Sequence, residues 1–393
     1  MIAVEKINSW LIIALFFSFS ISTASGSIIS ALVFALWILH ANFRNQFLQL
    51  RSNRVVVASL LFLIINIAGV AWSSDVSSGW DVVLKNWKFL MLPIFMLYVR
   101  EEHIRIYINA FLVSIIFSMF LSYLVWFEIV GEIFKASYSN PTVFMSHVVY
   151  NPLLAIAIYI VASRLLFEKK KSIIMALMGY LLLFAMIFNI FITGGRAGHI
   201  LFFVSIFLIG FQYYKNSFFK FLVTSLIVST AIFATAYSLS DFFKKRVDAT
   251  MQGIQTFNTN QSSSVGDRLN FAINGFEVFF DNPFFGVGTG DLKSEMKKVH
   301  LINTPEMKAP DNLHNNHLMV AVRLGLLGLL SFYWIFYSQI MSSKNITNKE
   351  LSRLGFVIPI MYFVASFGES YLSSHVMALF FSLISAVVYK KYN

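Results

Sequence analysis

Long apolar stretches follow one another along most of this 393-residue chain, separated by short polar turns. A helical crossing of a bilayer needs roughly 20 apolar residues. The pattern predicts about twelve such helices, at 8–25, 27–42, 55–73, 82–99, 104–128, 148–167, 172–192, 197–213, 218–238, 314–341, 353–369 and 371–389. The single long polar interruption is 238–312. We therefore expect an all-α polytopic membrane protein, with 1–393 as one membrane domain and 238–312 as a large inserted loop.

Two short helices are predicted inside this loop. Apolar residues at helical spacing follow Gly266 and Asp267, and the run stops at Pro283, which cannot continue a helix. A glycine-rich bend at 286–290 precedes a second helix at about 291–300. Both helices are expected to lie on the membrane surface, over the bundle. The bend superficially resembles a dinucleotide-binding fingerprint, but no strand precedes it, so no nucleotide site is predicted.

Composition supports the membrane assignment. Hydrophobic residues make up 58% of the chain and charged residues 12%, against about 25% charged residues in soluble domains. Cysteine is absent, which excludes disulfides and thiolate metal sites. The first apolar run resembles a signal peptide, but the polytopic pattern continues at once, so an uncleaved first helix is expected.

The net charge of +11 could indicate a nucleic-acid partner, but the positions of the charges favour a topology signal. Lys and Arg concentrate in short cytoplasmic loops of membrane proteins. With the N-terminus inside, the even-numbered turns and both termini collect most basic residues, whereas the short loops on the other side hold only Lys135 and Arg196. Both termini are therefore predicted to be cytoplasmic and the large loop to face outward, with no nucleic-acid partner.

Two arginines are candidate phosphate ligands. Arg196 is the one cation in the outward turn at 193–198. Its guanidinium fits phosphate through a fork of donors, and its flanking glycines let the backbone approach a ligand. Arg268 opens the first amphipathic helix of the loop, and together the two arginines can clamp a diphosphate from two sides. The alternatives are contacts with lipid headgroups and an ion pair between Arg268 and Asp267.

Two histidines open the helix that follows the loop. His314 and His317 are spaced i, i+3, which predicts that they share one helix face. A histidine at the outer membrane face is a natural general base because it titrates near neutral pH, and His314 is the favoured candidate. Histidines that only satisfy structural hydrogen bonds are one alternative. A metal site formed with Asp311 is another, but it lacks further well-placed carboxylates, so no metal is expected.

Three further cations are candidate substrate-binding residues, beside His317. Arg323 is expected about two and a half turns beyond His314, deeper in the bundle. Charge within a membrane indicates a functional site by default, and a structural ion pair is the alternative. Lys85 and Lys88 share a face near the outward end of the fourth helix. They either reach toward headgroups or add positive charge to an anion site.

Three segments together resemble the O-antigen ligase and polymerase superfamily of bacterial polysaccharide-assembly membrane proteins. They are the Gly-Gly-Arg-Ala-Gly turn at 194–198, the Asp-Asn-Pro-Phe-Phe-Gly-Val-Gly stretch at 281–288, and the His-Asn-Asn-His-Leu segment at 314–318 followed by Leu-Gly-Leu-Leu-Gly at 324–328. Ligases of this family have a histidine followed after ten residues by glycine, which matches His314 and Gly325. Their essential arginines match Arg196 and Arg268. The family pattern often has leucine four residues after each arginine, whereas this chain has isoleucine and alanine.

The resemblance implies a protein of the Gram-negative inner membrane that acts at the periplasmic face. It implies an undecaprenyl-diphosphate-linked glycan as donor and glycosyl transfer without a cofactor. His314 would take the proton of the acceptor hydroxyl, and the arginines would stabilise the leaving diphosphate. Direct displacement would invert the anomeric carbon. The length, the helix number and the single late loop favour an O-antigen ligase with lipid A–core as acceptor.

Three other functions stay open. An O-antigen polymerase and a protein O-oligosaccharyltransferase use the same donor chemistry. A lipid or glycan transporter belongs to another class and typically has charged residues deep in several helices and repeated halves. Here Arg323 is the one clear deep charge, and no half-repeat is visible. Membrane lipids are expected partners, and a chain-length regulator is a further candidate partner for which no segment marks a docking face.

Overall fold

The computed structural model describes residues 2–168, 171–257, 263–305 and 310–392, and these are mostly α-helical. The first helices are Ile2–Ser18 (α1), Thr23–His40 (α2), Phe43–Leu50 (α3), Arg54–Ala68 (α4), Val76–Lys85 (α5), Trp87–Tyr98 (α6) and Ile104–Trp126 (α7). The next are His147–Phe167 (α8), Ile173–Ile192 (α9), Arg196–Tyr213 (α10), Phe218–Leu239 (α11), Asp241–Gln255 (α12), Ser264–Asp281 (α13), Leu292–Asn303 (α14), Asn316–Ser343 (α15), Lys349–Ala365 (α16) and His375–Tyr389 (α17). The described residues contain no strand, and the predicted all-α class is confirmed.

Each predicted apolar helix has a counterpart, namely α1, α2, α4, α6 to α11 and α15 to α17. Among the described residues, seven helices are long and apolar enough to cross a membrane: α2, α7 to α11 and α15. The pair α3 and α4, bent by 106°, makes an eighth if it is one span. The other counterparts have fewer than 18 residues. The protein is therefore a polytopic all-α membrane protein with seven or eight candidate spans, and twelve crossings stay a prediction.

Two helix boundaries differ from the sequence-based expectation. The segment 82–99 is not one helix, because α5 ends and α6 begins on either side of Asn86. The helix expected to open at His314 begins at Asn316 instead. The Asn315 side chain accepts a hydrogen bond from the Leu318 N–H, and asparagine is a much better N-cap than histidine. His314 therefore lies outside the helix.

Burial separates the inner helices from the outer ones. Every residue of α17 from Val376 to Tyr389 is buried, and most of α8 is buried as well. In contrast, α9 and α11 expose apolar side chains over most of their length. An apolar helix that stays exposed needs an apolar surrounding, which fits helices that face lipid. The buried helices form the packed centre on which the site is built.

The long connection between α11 and α15 contains three helices. Two of them, α13 and α14, correspond to the predicted helices, whereas α12 was not predicted. Val278 of α13, Met296 of α14 and Leu318 of α15 belong to one buried apolar cluster. The Asp291 carboxylate accepts hydrogen bonds from the Ser74 and Asp75 N–H groups, at 2.6 and 2.7 Å. These contacts fix the connection against the helical bundle.

A break in α15 receives the segment that follows α13. Gly325 has φ of +61°, a conformation that favours glycine, and interrupts the helix. The Leu326 N–H donates to the Pro283 carbonyl at 2.7 Å, and the Gly288 N–H donates to the Arg323 carbonyl at 2.9 Å. The two motifs at 281–288 and 324–328 are therefore one structural unit, in which a loop segment docks into a broken helix.

Candidate active site

Six segments surround one cavity of about 410 Å³. They are the start of α8, the glycine turn with the start of α10, α12, α13, the stretch 313–315 before α15, and the connection between α16 and α17. The titratable side chains that line it are those of His147, Arg196, Arg246, Arg268, His314, Glu369 and Tyr371. Three guanidinium groups and one carboxylate give this cavity a positive excess.

Arg196, Arg268 and His314, although far apart in the sequence, line this same cavity. The glycine turn brings Arg196 there in a way that differs from the expectation. A Cβ at Gly195 would lie 2.5 Å from the His147 carbonyl oxygen, and one at Gly198 would lie 2.2 Å from the Asn151 Cβ. These glycines let the turn pack closely against α8, rather than letting the backbone approach a ligand. Their effect is to place the first residue of α10 at the cavity.

His314 is held in a left-handed backbone conformation with φ of +52°. Its N–H donates to the Asn312 side-chain oxygen at 2.9 Å, and the same oxygen accepts from the Ser370 hydroxyl at 2.6 Å. The imidazole lies nearly parallel to the Phe271 ring of α13, with 6.5 Å between the ring centres. Asn312 therefore ties the histidine segment to the connection between α16 and α17.

Glu369 is the partner of the His314 ring. The Nδ1 atom of His314 lies 2.8 and 2.9 Å from the two carboxylate oxygens. An ionised carboxylate only accepts hydrogen bonds, so Nδ1 carries the proton and Nε2 keeps the lone pair. The Arg268 guanidinium lies 3.5 Å from the same carboxylate. This pairing leaves Nε2 as the basic nitrogen of the ring.

Several groups decide the charge of Glu369. Burial by itself raises the pKa of this carboxyl, but hydrogen bonds from His314 and the Ser370 N–H, with the positive charge of Arg268, outweigh it. The net effect is a pKa below the ordinary value of 4.5. Glu369 is therefore ionised at neutral pH and able to hold the histidine tautomer.

Glu369 and Arg246 were not predicted from the sequence. Glu369 lies in a short connection with no recognisable motif, 55 residues from His314, and only the fold brings it close. A local signal could have predicted α12, the helix that carries Arg246. Ser240 before Asp241 is a typical N-cap residue, and its hydroxyl accepts a hydrogen bond from the Phe243 N–H. The Arg246 guanidinium lies over the Phe242 ring at 5.2 Å.

His317 does not line this cavity. Its Nε2 donates to the Phe363 carbonyl at 3.0 Å, and its ring stacks on Phe367 with 4.0 Å between centres. The expected common face with His314 is wrong, because His314 precedes the helix. Asp311 pairs with Lys293 at 2.9 Å, so the three side chains of the alternative metal set have different partners. In the described parts of the chain, no three His, Asp or Glu side chains form a metal-binding group.

The three remaining candidates lie elsewhere. Arg323 was expected deep along a continuous helix, but α15 breaks two residues later. The Arg323 carbonyl accepts a hydrogen bond from the docked loop segment. Its side chain lines a small cavity with Asn66 and Asn86. Lys85 and Lys88 line a third, open cavity together with His375. Substrate binding by these residues stays a prediction.

Comparison with known proteins supports the resemblance seen in the sequence. Residues 181–333 match a family profile described as O-Antigen ligase. A search of the curated proteins found no match. The matched segment runs from α9 into α15 and contains the three cavity arginines and His314, whereas Glu369 lies after it. Members of the family are membrane enzymes of the glycosyltransferase type, with polysaccharide or lipid-linked substrates. Residues 181–333 are thus similar to the O-antigen ligase family, and this similarity supports the O-antigen ligase and polymerase superfamily.

Proposed function

We propose that this protein is an O-antigen ligase of the Gram-negative inner membrane. It transfers a glycan from undecaprenyl diphosphate to a hydroxyl of lipid A–core, with the cavity facing the periplasm and both termini in the cytoplasm. The observation that carries the proposal is the shared cavity: a histidine held by a carboxylate lies beside three guanidinium groups. This is the combination that acid–base glycosyl transfer from a diphosphate-linked donor needs.

His314 acts as the general base. With the proton of Nδ1 engaged by Glu369, Nε2 accepts the proton of the acceptor hydroxyl as that oxygen attacks the anomeric carbon. Such a proton transfer contributes about 10² to 10⁴ in rate. Glu369 does not touch the substrate in this scheme; it positions the imidazole and stabilises the imidazolium that forms. Attack from the side opposite the leaving group inverts the anomeric carbon.

The arginines act on the leaving group. As the new carbon–oxygen bond forms, the bond from the anomeric carbon to the diphosphate oxygen breaks, and its electron pair stays on undecaprenyl diphosphate. Arg268 is partly neutralised by Glu369, whereas Arg196 and Arg246 form no ion pair with a carboxylate among the described residues. Two free guanidinium groups therefore face a diphosphate whose negative charge grows during the reaction. Fixed cations in a partly dry site stabilise that charge.

An assay with three acceptors distinguishes the ligase from the polymerase and the oligosaccharyltransferase, which use the same donor chemistry. Purified protein in proteoliposomes is given one labelled undecaprenyl-diphosphate glycan with lipid A–core, a second lipid-linked glycan or a protein acceptor. We expect labelled product on lipid A–core alone, consistent with the one long connection between α11 and α15. Product on the lipid-linked glycan would instead identify a polymerase, and product on protein an oligosaccharyltransferase.

The His314→Ala variant tests the mechanism in the same assay. Because it removes the base, transfer should fall by about 10² to 10⁴, while the amount of protein in the membrane stays unchanged. His40→Ala is the matched control, since His40 does not line the cavity, and it should transfer at the wild-type rate. Movement of the glycan lipid across the bilayer at equal rates in wild type and His314→Ala, without any transfer, would support a transporter instead.

A further inference from the structure

Lys88 has a buried ammonium group without a carboxylate partner among the described residues. The residue is only 4% exposed, and a lysine is almost never so buried without a paired charge. Its Nζ donates to the Lys85 carbonyl and lies 5.9 Å from the Trp87 ring centre, and neither partner carries a negative charge. In the described chain no carboxylate lies within ion-pair distance of Lys88 or Lys85.

This ammonium borders an open cavity of about 480 Å³. The lining residues are Asp81, Leu84, Lys85, Trp87, Lys88, Ser373 and His375. Asp81 is the one acid in this lining and forms no ion pair with either lysine among the described residues. Lys85 is exposed, and the His375 Nε2 is hydrogen-bonded to the Ser27 hydroxyl at 2.9 Å. The cavity thus has two cations, an imidazole and an indole face, but an unbalanced charge.

The position of this cavity relates it to the active site. Ser373, in its lining, is four residues after Glu369 on the connection between α16 and α17. Four residues span at most roughly 14 Å, so the two cavities lie at the same end of the bundle. Asn316, two residues after His314, is hydrogen-bonded to this connection. Its side-chain amide donates to the Ser373 hydroxyl at 3.2 Å, and its side-chain oxygen accepts from the Leu372 N–H at 2.9 Å.

We propose that this Lys85–Lys88 cavity binds an acidic group, a phosphate or carboxylate, on the acceptor amphiphile. This step rests on the proposed function, in which a diphosphate donor occupies the arginine cavity and a second lipid must present its hydroxyl to His314. A buried ammonium without a counter-charge is costly, and a bound anion removes that cost. The Trp87 ring offers an apolar face for a sugar or a glycerol backbone, and Lys85 adds a second donor at the rim.

The kinetic test compares Lys88→Gln with wild type on acceptors with and without their acidic groups. For the acidic acceptor we expect KM to rise by about tenfold or more, with the donor KM unchanged. For the acceptor stripped of acidic groups, wild type and variant should have equal KM values. Lys88→Arg keeps the charge and should restore most of the affinity. Lys135→Gln, an exposed lysine outside this cavity, is the control and should leave both KM values unchanged.

A binding measurement separates this proposal from the proposed function. Short-chain phosphatidic acid in neutral detergent is titrated into wild type, Lys88→Gln and Lys135→Gln, and Kd is measured calorimetrically. We expect Lys88→Gln to weaken binding about tenfold and Lys135→Gln, which lines neither cavity, to leave it unchanged, whether or not transfer is detected. Equal Kd values in wild type and Lys88→Gln would overturn the site. An effect of Lys88→Gln on transfer that follows the anionic lipid content of the vesicles, rather than the acceptor's charge, would assign the site to bulk lipid and overturn the acceptor assignment.

Discussion

At the scale of single residues, Glu369, which belongs to no recognisable motif, decides which nitrogen of His314 is basic. His314 lies in a left-handed conformation in which its N–H is bonded to Asn312, and its Nδ1–H donates a hydrogen bond of 2.8 Å to Glu369. His314 could be predicted as the general base from the sequence because of its position before an apolar helix. Its tautomer depends on a carboxylate 55 residues away.

Glu369→Gln should slow transfer by up to about 10² to 10⁴, the factor that a general base supplies, because the amide no longer fixes the tautomer of His314. A merely structural role would instead change the amount of folded protein with little effect on the turnover of what remains. The measurement is kcat per folded molecule, with Glu277→Gln, an acid of α13 that does not line the cavity, as the control. Unchanged kcat in Glu369→Gln would contradict the positioning role.

Glu369 also predicts a pH dependence of stability. Its pKa is lowered in the folded protein, so its ionised form stabilises the fold above the ordinary value of 4.5, and this contribution is lost as pH falls through the lower folded value. The melting temperature of wild type should therefore exceed that of Glu369→Gln at pH 7, and the difference should shrink below about pH 4.5. A difference that grows on acidification would contradict the assigned pKa shift.

Arg246 is expected to bind the donor diphosphate. Arg246→Gln removes one of the two guanidinium groups without a carboxylate partner, so the donor KM should rise about 10- to 100-fold, with the acceptor KM little changed. Lys245→Gln on the same helix is the matched control, because Lys245 is exposed and does not line the cavity. If both variants weaken donor binding equally, the effect is general electrostatic attraction, and Arg246 has no specific contact.

At the scale of elements, the break in α15 connects the two most recognisable motifs. The loop segment at 282–288 can dock only because Gly325 interrupts α15, which lets the backbone of the segment pack against the backbone of the helix. A Cβ at Gly325 would lie 2.4 Å from the Phe284 carbonyl carbon, and its backbone conformation, with φ of +61° and ψ of −153°, is unfavourable for other residues by about 1–3 kcal/mol. Packing and backbone conformation therefore explain why a glycine stands at position 325.

Gly325→Ala should for this reason reduce the amount of correctly folded protein and lower its melting temperature. The backbone of the docked loop segment must move away, and with it Asp291, which accepts hydrogen bonds from the connection between α4 and α5. Gly131→Ala is the control, since nothing lies within 4 Å of its added Cβ. The melting temperature in detergent is the readout, and a Gly325→Ala protein as stable as Gly131→Ala would disprove the docking argument.

At the scale of the whole molecule, the absence of cysteine makes the proposed orientation directly testable. Lys297→Cys lies on α14 and Lys344→Cys just after α15, and both positions are exposed. In intact cells with a permeabilised outer membrane, a membrane-impermeant maleimide should label position 297 but not position 344. Labelling of position 344 should appear only after the inner membrane is opened. The opposite pattern would place the cavity in the cytoplasm and remove the proposed donor.

The hydrophobic pattern by itself predicted the approximate positions of the apolar helices, the all-α class and the position of the long connection. These follow from local sequence, because each helix satisfies its own backbone hydrogen bonds within a membrane. The motif residues Arg196, Arg268 and His314 were likewise visible in the sequence. The tertiary structure decided which cations share a cavity, that Arg246 and Glu369 join them, and that His317 and Arg323 do not line it. Those outcomes depend on how α8, α12 and the connection after α16 pack, and contacts between segments so far apart leave no periodic trace in the chain.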